Sequence, residues 1–213
     1  MKLLIVVILS IMAKKSFAQT FGVKAGLNLS NIVMKDNADR YDDDFKMKPG
    51  FHLGVTAEFP INETFSFEPG LLLSTKGVKE TYSESGYDYT SVTNLYYIDI
   101  PLTGKAYYKV GSVKIYGLFG PYLAIGLSGK AKTQETGYPE DTHTILWGKD
   151  SENDDLKRLD LGLSFGAGVA LSSFEIGLSY NLGLNNISAY TGDGFKINNR
   201  VLGISVGYKL GSK

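Results

Sequence analysis

The chain has 213 residues, enough for one large all-β domain or two small ones, and its 22 Lys plus Arg balance 22 Asp plus Glu. That neutrality removes the electrostatic case for a nucleic-acid partner. The absence of cysteine excludes disulfides, thiolate metal sites, a cysteine nucleophile and a lipid-anchored cysteine. Mean hydropathy is near zero, which a transmembrane barrel would also show because its lipid-facing and lumen-facing residues average out.

The first element is not structural. Lys2, an apolar run from Leu3 to Ala13 and the small-residue site Ser16-Phe17-Ala18 read as a secretory signal peptide over residues 1–18. The run is too short to cross a bilayer, and no later run approaches twenty apolar residues, so no transmembrane helix is expected. Residues 19–213 are expected to form one domain, exported by the Sec route.

From residue 20 onward the hydrophobic period is two, the signature of strands. Eight segments follow in order. Val23, Ala25, Leu27 and Leu29 form the first, and Phe51 to Phe59 the second. Phe65 to Leu73 form the third, and Tyr96, Ile98, Ile100 and Leu102 the fourth. The fifth runs from Val113 to Ser128, the sixth from Leu159 to Leu171, the seventh from Phe174 to Leu184 and the eighth from Leu202 to Leu210. Connections after the second, fourth and sixth are short ("INE", "KVGS", "SS"). The others are long and polar, the longest from about Gly129 to Arg158. Alternating tight turns and long loops is the plan of an outer-membrane barrel with periplasmic turns and outer loops. The expected fold is therefore an eight-stranded antiparallel up-and-down transmembrane β-barrel.

The polar faces carry Lys24, Glu58, Glu68, Lys76, Asp99, Lys105, Lys114, Asp160, Glu175 and Lys209, five of each sign. The apolar faces carry essentially no charge; Arg200 shares a parity with Leu202 at a strand end. A soluble barrel would put the apolar face inside. Leu, Ile and Phe on all eight apolar faces, with Phe21, Phe51, Phe59, Phe65, Phe174 and Tyr208 near strand ends, instead suit a lipid band with aromatic girdles. Eight strands leave a lumen only wide enough for side chains. The ten charges are thus expected to fill it as a structural network, with Asp99 pairing a lysine of a neighbouring strand. Pro101 lacks a ladder donor, and a bulge or weakened pairing is expected there.

Tyr97-Ile98-Asp99-Ile100-Pro101, Gly120-Pro121-Tyr122, Asp160 with Gly162, Gly166 and Gly168, and Gly207-Tyr208-Lys209 occur in this order. The chain so resembles the PorT-type outer-membrane β-barrel family common in Bacteroidetes, with aspartate where that family has glutamate in the first motif. The resemblance implies an eight-stranded barrel. One family member is implicated in type IX protein secretion, and most have no assigned activity.

Other motifs read blandly. Gly162-Leu163-Ser164-Phe165-Gly166 matches a nucleophile elbow but lies inside an alternating strand rather than at a strand-to-helix turn. His52 is expected in the lumen and His143 in the longest loop. Asp36, Asp39 and Asp42 to Asp44, like Glu152, Asp154 and Asp155, crowd outer loops; a solvated surface is favoured over calcium, since the spacing is not that of an EF-hand. The resulting expectation is a non-enzymatic outer-membrane protein with a structural, adhesive or envelope-accessory role. A lumen ligand site or narrow channel, and a rim enzyme, stand as alternatives. No cofactor or metal is called for. The expected partners are outer-membrane lipid, lipopolysaccharide and envelope or secretion-complex proteins, and the chain is expected to be a monomer.

Overall fold

The computed structural model describes residues 19–41 and 45–210; the proposed signal peptide and Asp42 to Asp44 lie outside them. Ten strands form: β1 (Thr20–Lys35), β2 (Phe45–Lys46), β3 (Lys48–Pro60), β4 (Phe65–Glu84), β5 (Tyr87–Val110), β6 (Val113–Glu135), β7 (Asp141–Thr144), β8 (Leu159–Leu171), β9 (Phe174–Gly183) and β10 (Lys196–Leu210). Eight of them close an antiparallel ring in the order β1-β3-β4-β5-β6-β8-β9-β10 and back to β1. Closure leaves no ring edge to seek a partner, the condition for a sheet to sit in lipid. The short strands β2 and β7 are additions at the outer end, pairing with β4 and β6.

Side chains alternate between the two surfaces of the ring, with one break at the β5–β6 register shift. Outward positions include Leu27, Leu53, Leu71, Phe119, Leu161, Phe165, Ile176 and Ile204, all exposed on the isolated chain. This is the lipid band. Its periplasmic border is aromatic, with Phe174 against Tyr208 at 5.0 Å and Phe59 against Phe67 at 6.5 Å between ring centres.

Turns at the periplasmic end are tight: residues 61–64, Gly111-Ser112 and Ser172-Ser173. The outer end departs from the simple loop pattern. The connection after the third barrel strand is not a long loop. Strands β4 and β5, 20 and 24 residues long, stay paired up to Glu84 and Tyr87, and only Ser85 and Gly86 turn the chain, both with positive φ. Strand β6 likewise runs to Glu135, and β7 folds back on it, so the expected loop from Gly129 is partly sheet. Thr, Tyr and Val sustain the ladder here, where no buried face imposes alternation. The result is an extended outer sheet of β4, β5 and β6 standing above the barrel.

Pro101 does not sit in a bulge. The β5–β6 register shift falls at Tyr96/Tyr97 instead. Pairing is nonetheless interrupted beside the proline. The β4–β5 ladder passes from Pro69↔Leu102 to Leu72↔Asp99, and the β5–β6 ladder from Pro101↔Tyr122 to Gly104↔Phe119. The missing donor is thus absorbed as a local gap in an unshifted register.

The membrane assignment makes a depth-dependent prediction. Ile100→Arg, in the middle of the lipid band, should destabilise the barrel by about 2–4 kcal/mol, and Tyr108→Arg at the periplasmic border by about 0–1 kcal/mol. Urea titration of the vesicle-folded protein, read by heat-modifiable gel mobility, measures both.

Candidate functional site

The lumen is where the polar faces converge. In its periplasmic half six charges form one continuous chain. Lys24 on β1 reaches Glu68 on β4 at 2.6 Å, and Lys105 on β5 bridges Glu68 at 2.5 Å and Glu175 on β9 at 2.8 Å. Lys209 on β10 then joins Glu175 to Glu58 on β3, both at 2.5 Å. Six of the eight ring strands are tied together across the lumen, with three charges of each sign. The Tyr107 hydroxyl donates to Glu58 Oε1 at 2.7 Å, and the Lys105 ammonium lies 4.5 Å from the centre of the Tyr116 ring. Glu58, Glu68 and Glu175 each offer an oxygen within 4.8 Å of the others, the spacing of a metal site. The three ammonium groups already neutralise these carboxylates.

A second charged layer lies nearer the outer mouth. Lys76 on β4 is fully buried, 3.0 Å from both Asp99 on β5 and Asp160 on β8. Its ammonium sits between the rings of Tyr97 and Tyr122, at 4.7 and 4.8 Å from their centres. Asp160 also accepts from the Tyr122 hydroxyl at 3.2 Å and from Asn199 Nδ2 at 2.9 Å. Two carboxylates here face one cation. Lys114 joins neither layer. It is exposed at the periplasmic mouth, 5.7 Å from the Tyr107 ring centre.

Between the layers the lumen is polar but uncharged. Asn28 Nδ2 donates to Ser74 Oγ, His52 Nδ1 contacts Asn28 Oδ1 at 2.8 Å, and Ser164 Oγ donates to Asn181 Oδ1 at 2.7 Å. The cavity left among them is about 70 Å³, room for a few waters. Ser164 and His52 border this space, yet each is committed to an asparagine rather than to the other. The Gly-x-Ser-x-Gly glycines answer to packing: a Cβ on Gly162 would lie 2.5 Å from the Tyr122 ring, and one on Gly166 2.2 Å from the Leu178 carbonyl.

Above the second layer the lumen turns apolar. Leu95, Tyr97, Tyr122 and Ala124 on the wall pack with Ile145 and Leu156 of the long outer loop and Ile187 of the last loop. Trp147 stands edge-on to Tyr97 at 5.6 Å, over Gly126, whose Cβ would lie 2.3 Å from the indole. Outer-loop acids hold this plug in shape. Asp155 accepts from the Leu146 amide and His143, both at 2.8 Å, and Asp150 and Asp154 cap turn amides. In the first outer loop the Tyr41 hydroxyl, with the Ala38 and Asp39 amides, holds the Asp36 carboxyl below its ordinary pKa. These acids are turn-builders. Sequence reasoning placed the loops on the surface and missed the plug; its available signal was the apolar Ile145-Leu146-Trp147 inside a polar stretch. It also passed over Lys48, which is buried near the outer end of β3 and donates to the Pro49 carbonyl at 3.3 Å.

A closed eight-stranded ring with an apolar exterior and a charged interior is the architecture of a small transmembrane β-barrel. Residues 17–189 match the sequence profile of the family described as outer membrane protein beta-barrel domain, and the chain belongs to that family and to the outer membrane. No curated protein matches the sequence. Among solved structures, the chain is similar to Ail, the attachment invasion locus protein of Yersinia pestis, at 20% identity, covering 90% of this chain and 99% of Ail, with a TM-score of 0.36. It is similar to Neisserial surface protein A at 15% identity, covering 89% and 97%, TM-score 0.45. The outer membrane protein OprG of Pseudomonas aeruginosa gives 14% identity, 91% and 97%, and a TM-score of 0.45.

Two measurements test the lumen. Lys105→Met leaves Glu68 and Glu175 short of a buried counter-charge and should destabilise the barrel by about 3–5 kcal/mol. Removing exposed Lys132, paired with Glu140 at 2.9 Å, should change little. Urea unfolding of both variants makes the comparison. Gly126→Val should push out Trp147, the single tryptophan, and red-shift its emission while the barrel stays heat-modifiable.

Proposed function

We propose that this is a non-enzymatic, monomeric outer-membrane barrel of the PorT-like kind, exported by the Sec route, whose work is done on its outer surface. Its role is structural, adhesive or accessory to an envelope or secretion complex. The observation that carries this reading is the closed lumen. Two charged layers and an apolar plug fill it, and the cavity between the layers is about 70 Å³. A lumen so filled favours neither a general pore nor a lumen enzyme. What remains for partners is the extended β4–β5–β6 sheet and the outer loops, beside outer-membrane lipid and lipopolysaccharide.

A second reading has its own observation. An open cavity of about 380 Å³ lies over the plug, walled by Ile32, Met34, Val78, Tyr190, Phe195 and Ile197, and could receive a small apolar ligand.

The protein folded into planar bilayers should show no single-channel conductance. A reproducible conductance from the wild type would overturn the closed-lumen reading. Cross-linking in the native membrane should capture envelope proteins through cysteines placed on the β4–β5 hairpin, and not through cysteines at the periplasmic turns.

A further inference from the structure

We propose that the outer rim of the barrel is a binding surface for the phosphate groups of the outer-leaflet glycolipid. The inference rests on the membrane reading above and deepens it, naming the lipid group that is recognised and the residues that recognise it. The register sorts every strand side chain to the lumen or to the outside. Among the described strand residues, the outward-facing charges are Lys35, Lys46, Lys79, Lys130, Lys132, Lys196, Arg200 and one acid, Asp88. All lie beyond the outer edge of the apolar band. Outward positions at the periplasmic end of these strands carry no charge.

Among the described residues, one of these seven cations has an acidic partner. Lys132 pairs with Glu140, and Asp88 lies at the hairpin tip, where it accepts from Ser83. The other six cations have no ion pair among the described residues. Two pairs are set directly against each other across strands, Lys35↔Lys196 and Lys46↔Lys79, a placement that is destabilising by itself. Arg200 Nε is a buried donor without an acceptor. Asp36, next to Lys35 in the chain, has its carboxylate engaged by Tyr41 and two backbone amides. An anion supplied from outside completes the arrangement.

The seam between β1 and β10 shows what kind of anion fits. Outward pairs rise from Leu29/Leu202 in the lipid band to Asn31/Arg200, Val33/Asn198 and Lys35/Lys196. Arg200 and Lys196 are therefore about 13 Å apart along the strand, or about 10 Å in depth at a strand tilt of about 40°. The cations span a thick headgroup layer rather than one plane of phosphates. A glycolipid with phosphates on a sugar headgroup matches that depth better than a simple anionic phospholipid.

The test compares the wild type with Lys35→Gln/Lys196→Gln/Arg200→Gln. Both are placed in phosphatidylcholine nanodiscs doped with bisphosphorylated lipid A, dephosphorylated lipid A or phosphatidylglycerol, and retained lipid is counted by native mass spectrometry. The wild type should prefer bisphosphorylated lipid A about tenfold over the dephosphorylated form. The triple variant should lose most of that preference while running as a folded, heat-modifiable band in plain phosphatidylcholine. A Lys132→Gln control should keep it. Equal retention of the two lipid A forms, equal retention of phosphatidylglycerol, or an unchanged triple variant overturns the proposal. A wild type that fails to fold in plain phosphatidylcholine refutes the membrane reading beneath it.

Discussion

The six-charge chain Lys24–Glu68–Lys105–Glu175–Lys209–Glu58 is the interaction on which the barrel depends. Lipid demands an apolar exterior, and strict alternation then delivers the polar residues of every strand inward. In eight strands that interior is too narrow for bulk water to solvate charges. Each carboxylate must therefore find its cation on another strand. The partners lie as far apart in sequence as Glu58 and Lys209, which come together only once β10 has paired with β1 and the ring is closed. The network is thus less a source of net stability, since desolvation opposes the Coulomb gain, than a condition on closure. A register slipped by one residue would turn lysines and glutamates toward lipid.

That requirement explains the small residues around it. Where Tyr116 and Tyr122 lie against their charged neighbours, the facing strands offer glycine. A Cβ on Gly168 or Gly177 would come within 2.6 Å of the Tyr116 side chain. The lumen is packed by pairing one bulky ring with one absent side chain. Its polarity resides in a few ionic contacts and its volume in tyrosine. The outer plug extends the same logic above the lipid level, where loops rather than strands supply the filling and apolar residues replace ion pairs.

How much of this was legible depended on whether a local period encoded it. The eight strands, their two faces and the short periplasmic turns follow from a period of two that lipid enforces over every residue of Val23–Leu29 or Phe51–Phe59. The outer sheet did not show itself. Above the membrane both faces of β4 and β5 are polar, and Thr81, Ser83, Thr90 and Ser91 read as loop although they are ladder. The plug was hidden for a different reason. Ile145, Leu156 and Ile187 meet at separations of 11 and 31 positions along the chain, a tertiary contact with no periodic trace. Pro101 stands out in the sequence because it lacks a ladder donor. The sequence offers no way to tell that a gap in both ladders would accommodate it without a bulge.

A formal net charge of zero conceals a sorting by height. The lipid band holds no charge on its outer surface, because any there would face hydrocarbon. The periplasmic lumen layer is balanced three against three, and the upper layer carries one cation to two carboxylates, steadied by Tyr122 and Asn199 as donors. The outer rim is almost wholly cationic on its outward side, and the loop acids Asp36, Asp150, Asp154 and Asp155 lie in the outer loops, tied into turns. Neutrality overall is what allows each level to take the sign its surroundings call for. Inside, opposite charges must meet because no water can screen them. At the rim, like charges stand side by side across strands, Lys35 against Lys196 and Lys46 against Lys79.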